Sequence, residues 1–153
     1  MSRRADQGGH PGGMEPGAVN LRYFLCRALG EFEVADGLEV LSEAATTARV
    51  PRVLWVRRGA IQAIAVLGYH LQQENPNSPS DYAVLEPTLI LLANDENDLI
   101  RSETAFALGR IGTPVMMKQL EIMIGDPHPD TRYNAAVALA QRGNVIAIET
   151  LVV

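Results

Sequence analysis

Three histidines, one cysteine and a recurring aspartate–arginine pair are the residues of this chain whose types could support chemistry. Acid–base or nucleophilic catalysis needs such groups within hydrogen-bond reach of one another. His10 lies in a Gly/Pro-rich stretch, His70 near the end of an apolar run, and His128 between Pro127 and Pro129. None has the spacing of a metal site or an evident acid–base partner. Cys26 stands inside Leu25-Cys-Arg-Ala-Leu29, where a thiol reads as a small core residue, and as the single cysteine it has no disulfide partner within the chain. No glycine-rich phosphate loop follows a strand. The expectation is therefore no catalytic residue, no metal and no cofactor.

The aspartate and arginine stand out because they recur. Asp95, Arg101 and Ala105-Phe-Ala-Leu-Gly109 return 31 residues later as Asp126, Arg132 and Ala136-Val-Ala-Leu-Ala140. Self-similarity at a fixed period marks a stack of supersecondary units, none of which can bury its apolar face alone. Positioning these residues falls to helices. Aromatics make up only 5% of the chain while Ala and Leu are abundant, which suits closely packed helices better than strands. Gly, Pro and Asn punctuation divides the sequence into helical segments at about 18–32, 36–47, 52–73, 81–93, 98–111, 114–124, 130–142 and 144–153. Residues 1–17 hold five glycines and two prolines with few large apolar residues and read as a flexible tail, leaving 18–153 as one helical domain. Asp81 to Val84, with the Asn-Pro-Asn-Ser-Pro loop before it, reads as an insertion.

Three- and four-residue spacing assigns the buried stripes. Ile100, Thr104, Ala107, Leu108 and Ile111 form one, and Thr131, Ala135, Ala138 and Leu139 its successor, with Leu21, Leu25, Ala28 and Leu29 as the first. The helices between contribute Leu38, Leu41 and Ala45; Leu85, Leu89 and Leu92; Val115, Leu120 and Ile124; and Ile148 with Leu151. Gly30, Gly109 and Ala140 share one register, where a small side chain lets a neighbouring helix approach.

An aspartate in the turn, an arginine six residues on, and Ala-x-Ala-Leu-Gly form a signature that resembles the HEAT family, in particular its short bacterial HEAT-like repeats. The match is closest over Asn94–Val153; Leu21-Arg22 and Val56-Arg57 are weaker copies, with Pro16 and Pro51 where the aspartate would stand. The resemblance implies an all-α, right-handed solenoid of helical hairpins, about four repeats with the terminal ones incomplete. It further implies that Asp95, Arg101, Asp126 and Arg132 form a structural ladder joining adjacent repeats, and that second helices line the concave surface.

On that surface the non-core positions give the candidate partner-binding residues Phe24, Arg27, Trp55, Gln62, Glu103, Phe106, Arg110, Asn134 and Gln141. Aromatics flanked by Arg and carboxylates are frequent interface anchors, and the same aromatics can instead complete packing between repeats. The expected function is a non-catalytic protein-binding scaffold. A HEAT-like subunit of a bilin chromophore lyase is the alternative by resemblance, and a nucleic-acid backbone binder comes last. The net charge of −5 disfavours phosphate contacts, although Arg49, Arg52, Arg57 and Arg58 form one basic cluster. No apolar run approaches membrane-spanning length. With no apolar stretch after Met1-Ser-Arg-Arg, the sequence reads as cytoplasmic. Ending in Leu-Val-Val, the segment 144–153 suggests self-association or continuation into further repeats.

Overall fold

The computed structural model describes residues 22–23, 25–28, 37–47, 53–77, 82 and 84–147. Six helices follow one another there: α1 (Gly37–Thr46), α2 (Leu54–Glu74), α3 (Glu86–Ala93), α4 (Asp98–Ile111), α5 (Pro114–Met123) and α6 (Pro129–Gln141). The described residues between 22 and 28 are helical as well. Among the described residues there is no strand.

Several helix starts have a local cause. Asn97 accepts the free N–H groups of Leu99 and Ile100, and Thr113 accepts that of Met116, so two helices carry a side-chain cap. Pro114 and Pro129 occupy first-turn positions, where a missing N–H costs no helical bond. The spacing predicts a helix from 81; Asp81 and Ala83 lie outside the described residues, Tyr82 is helical, and α3 runs from Glu86 with Pro87 in its first turn. Gly112 closes α4 in the left-handed region at φ 68°, its N–H donating to Leu108.

Two layers result. Helices α1, α3 and α5 form one, while α2, α4 and α6 pack side by side in the other, and each hairpin joins the layers. This is an α-solenoid. Between the layers lie fully buried Leu41, Ile61, Leu67, Leu89, Ile100 and Leu108. Because α2 is covered by α1, α4 and the preceding helical segment, eleven of its residues are buried, far more than the single stripe of a surface helix.

Most predicted stripes are in this core, and two are rotated. In the first segment Leu25 is 53% exposed and Ala28 is exposed, whereas Cys26 is buried. On α5 Val115 is exposed and Met116 is fully buried in its place. Both errors are one residue, the amount by which a stripe of small and large apolar residues can be misphased when apolar side chains stand next to each other. Residues 1–17 and the predicted buried residues Leu21, Leu29, Ile148 and Leu151 lie outside the described residues.

Candidate functional site

The recurring aspartates sit where each hairpin turns into its second helix. Asp95 Oδ1 accepts the N–H of Asn97, and Asp126 Oδ1 that of His128, so each carboxylate closes a local turn before its helix. The same carboxylates receive an arginine from the preceding repeat. Arg57 donates from Nη2 to Asp95 and from Nε to the carbonyl of Ala45, with both charged side chains almost completely buried. Arg101 binds Asp126 through Nε and Nη2 at 2.8 and 3.1 Å, while its Nη1 reaches the carbonyls of Asp95 and Glu96. Arg132 bonds the carbonyls of Asp126 and Pro127 in the same manner. Arg101 therefore links α4 to its own turn and to the next, and Arg57 links α2 to the end of α1 and to the next turn.

Electrostatics at Asp126 follow from this geometry. Burial alone would raise its carboxyl, but the Arg101 hydrogen bond, the His128 N–H and the nearby positive charges outweigh burial and hold it below its ordinary value. The corresponding pairing raises Arg101. A carboxylate with a lowered folded-state pKa contributes stability that is present above its unfolded value, about 4, and is lost as pH falls through the folded one. Arg101→Ala is expected to cost about 2 kcal/mol, a fall in Tm of roughly 4–8 °C, and to flatten the acid limb of stability below about pH 4. Thermal melts of both proteins across pH 2–7 test this; an unchanged acid limb would dismiss the pairing as a stabilising contact.

The outer side of the second-helix layer gathers the other candidates. Arg27 Nη1 donates to Gln62 Oε1 at 3.3 Å, Gln62 Nε2 donates to Glu103 Oε1 at 3.1 Å, and Glu103 also receives Arg58 at 2.6 Å. Arg58 lies over the Trp55 ring, 5.0 Å from its centroid, and Trp55 remains 59% exposed. On the adjoining stretch Phe106 is 49% exposed beside a depression of about 70 Å3 whose lining includes Phe106, Arg110, Asn134, Val137 and Gln141. Arg110 stacks on the Tyr69 ring at 3.9 Å, and Asn134 donates to the carbonyl and hydroxyl oxygens of Ser102. Phe24 lies outside the described residues.

Several participants are not among the partner-binding residues expected from the sequence. Arg58, Tyr69 and Ser102 belong to this face, but they are outside the recurring signature, and only the lateral packing of α2, α4 and α6 puts them beside Glu103, Arg110 and Asn134. Of the basic cluster, Arg57 and Arg58 are each bound to a carboxylate, whereas Arg49 and Arg52 lie outside the described residues. Its charge is thus partly neutralised, which weakens the case for a phosphate contact.

Burial pushes the Cys26 thiol up, more than the nearby Arg22 charge lowers it, so the thiol stays in its weakly nucleophilic form. His128 Nε2 approaches Asp98 at 3.5 Å, in a cleft beside Arg101. Among the described residues no group of three His, Cys, Asp or Glu side chains is placed to hold a metal ion, and no helix is long and apolar enough to cross a membrane.

Comparison with known proteins identifies the repeats. Residues 85–152 match the family described as HEAT repeats, and residues 55–111 match the HEAT-like repeat. No curated protein sequence matches the chain. Among 17 solved chains that do, one from the complex of CpcE and CpcF of phycocyanin lyase from Nostoc sp. PCC7120 has a TM-score of 0.63. That likeness covers 76% of this chain and 70% of the other at 24% identity, and is one of fold. With arginine–aspartate joints repeating through a two-layer stack, and with the two matches together running over residues 55–152, the chain belongs to the HEAT-repeat family.

Proposed function

We propose that this chain is a non-catalytic protein-binding subunit that engages its partner through the outer side of α2, α4 and α6. The observation that carries this reading is two large exposed aromatics beside held arginines: Trp55 lies under Arg58, which Glu103 binds, and Phe106 lines one depression with Arg110, which stacks on Tyr69. Such anchors lose little side-chain freedom on binding, so more of the contact energy appears as affinity. A solved neighbour that is itself part of a two-subunit complex supports a protein as the partner class.

Trp55→Ala and Phe106→Ala are expected to leave the melting temperature within about 2 °C of the parent, because both side chains are largely solvent-exposed. Each is expected to weaken capture of the native partner by about 30-fold, the loss expected of an interface anchor. Quantitative pull-down from the source cells with parent and variants side by side checks both. Equal capture by parent and variants rejects this face, and unfolding of either variant assigns its aromatic to packing.

A second reading is supported by the printed identity of the same neighbour, a phycocyanin lyase complex: this chain as the HEAT-like subunit of a bilin chromophore lyase. Incubation with a bilin and an acceptor protein tests it. A shift in bilin absorbance with transfer to the acceptor favours the lyase reading, and an unchanged spectrum with no complex leaves the binding subunit.

A further inference from the structure

The cations on the outer side of α2, α4 and α6 are not equivalent. Arg58 is bound by Glu103, and Arg27 donates to Gln62. Arg110 is exposed in the last turn of α4, and among the described residues no carboxylate meets it. Its guanidinium lies over the Tyr69 ring, 3.9 Å from the centroid. An aromatic face holds the plane of a guanidinium while leaving its N–H edges open, so this cation is oriented before any partner arrives.

The depression that Arg110 helps to line supplies an apolar complement. Gly109 lies directly against Ala138, so α4 and α6 close together there, and Phe106 and Val137 line the space left above them. Its volume of about 70 Å3 is half the roughly 150 Å3 that takes a benzene ring. An aliphatic side chain fits such a space, and an aromatic one does not.

We propose that this end of the outer face takes an acidic segment of the partner, with an aliphatic side chain seated in the depression and a neighbouring aspartate or glutamate on Arg110. The assignment rests on the reading of this face as the protein-binding one. Charge complementarity selects the occupant: on a chain of net charge −5, the charge beside the depression that no carboxylate meets is positive. A fork oriented in advance binds a carboxylate through two N–H groups. A purely apolar segment would fill the depression and cover Arg110 without a counter-charge, a desolvation cost that selects against it.

The test titrates the isotope-labelled full chain with a short end-blocked peptide carrying Leu-Asp-Asp-Leu, and with its Leu-Asn-Asn-Leu counterpart. Amide shifts are expected to concentrate at Phe106, Arg110 and Val137, with the acidic peptide binding about tenfold more tightly. Arg110→Gln is expected to abolish that difference, whereas Phe106→Ala weakens both peptides alike. Equal binding of the two peptides by the parent, or a preference that survives Arg110→Gln, overturns the proposal. So do shifts at these residues from free biliverdin without peptide binding, which would make a bilin propionate the carboxylate. Capture of the native partner distinguishes the segment from the face. Unchanged capture by Arg110→Gln beside loss in Phe106→Ala overturns the acidic segment alone, and unchanged capture by both overturns the face as well.

Discussion

Arg57→Ala is expected to lower unfolding stability by about 3–5 kcal/mol, because it leaves the Asp95 carboxylate buried without its cation. The side chains of the pair are only 4% and 3% exposed, so water cannot replace the lost contact. Asp95→Ala should cost a similar amount, since the guanidinium would keep its bond to Ala45 and lose its counter-charge. The double replacement Arg57→Met with Asp95→Leu is expected to recover most of the loss, as an apolar pair carries no desolvation penalty. Urea titration of the two single variants and the double variant tests the series. Single variants within 1 kcal/mol of the parent would show that the pair contributes little.

Gly109→Val is expected to cost about 3 kcal/mol through overpacking. A Cβ built on Gly109 falls on that of Ala138, whose own backbone stands directly behind it, so the clash cannot be relieved by rotating a flexible side chain. The helix-propensity gain from removing a glycine, at most about 1 kcal/mol, is too small to offset this. Ala138→Gly in the same chain should restore part of the loss, giving a positive coupling in a double-mutant cycle. Additive effects in that cycle would mean that α4 and α6 do not meet at this point.

How much of this could be read from the sequence depends on the range of the interaction. The α4 segment, predicted as 98–111, is Asp98–Ile111, because an asparagine cap and a left-handed glycine mark its two ends within the segment itself. Arg101 and Asp126 were legible as members of a recurring pattern, since the period alone placed them in equivalent positions. The exposed face was legible only in part. Phe106, Arg110, Asn134 and Gln141 follow from counting around a helix, and they do line one depression. The Arg58–Glu103 bond spans 45 residues between helices, and its geometry is set by how far α2 slides along α4, which no spacing rule fixes. The misphased Leu25 and Val115 show the opposite weakness: among adjacent apolar residues, periodicity alone leaves a one-residue ambiguity that packing resolves.

Arg142 has a role that reaches beyond its own hairpin. From the end of α6 its Nη2 donates to the carbonyls of Gly109 and Ile111, the last acceptors of α4, above the left-handed Gly112. Arg101 and Asp126 secure the opposite ends of the same two helices. Neighbours fastened at both ends can neither shear along their axes nor splay without breaking one clasp. The spacing between Phe106 and Gln141 across their boundary is thereby a fixed dimension, and a partner meets a template whose shape was set when the chain folded.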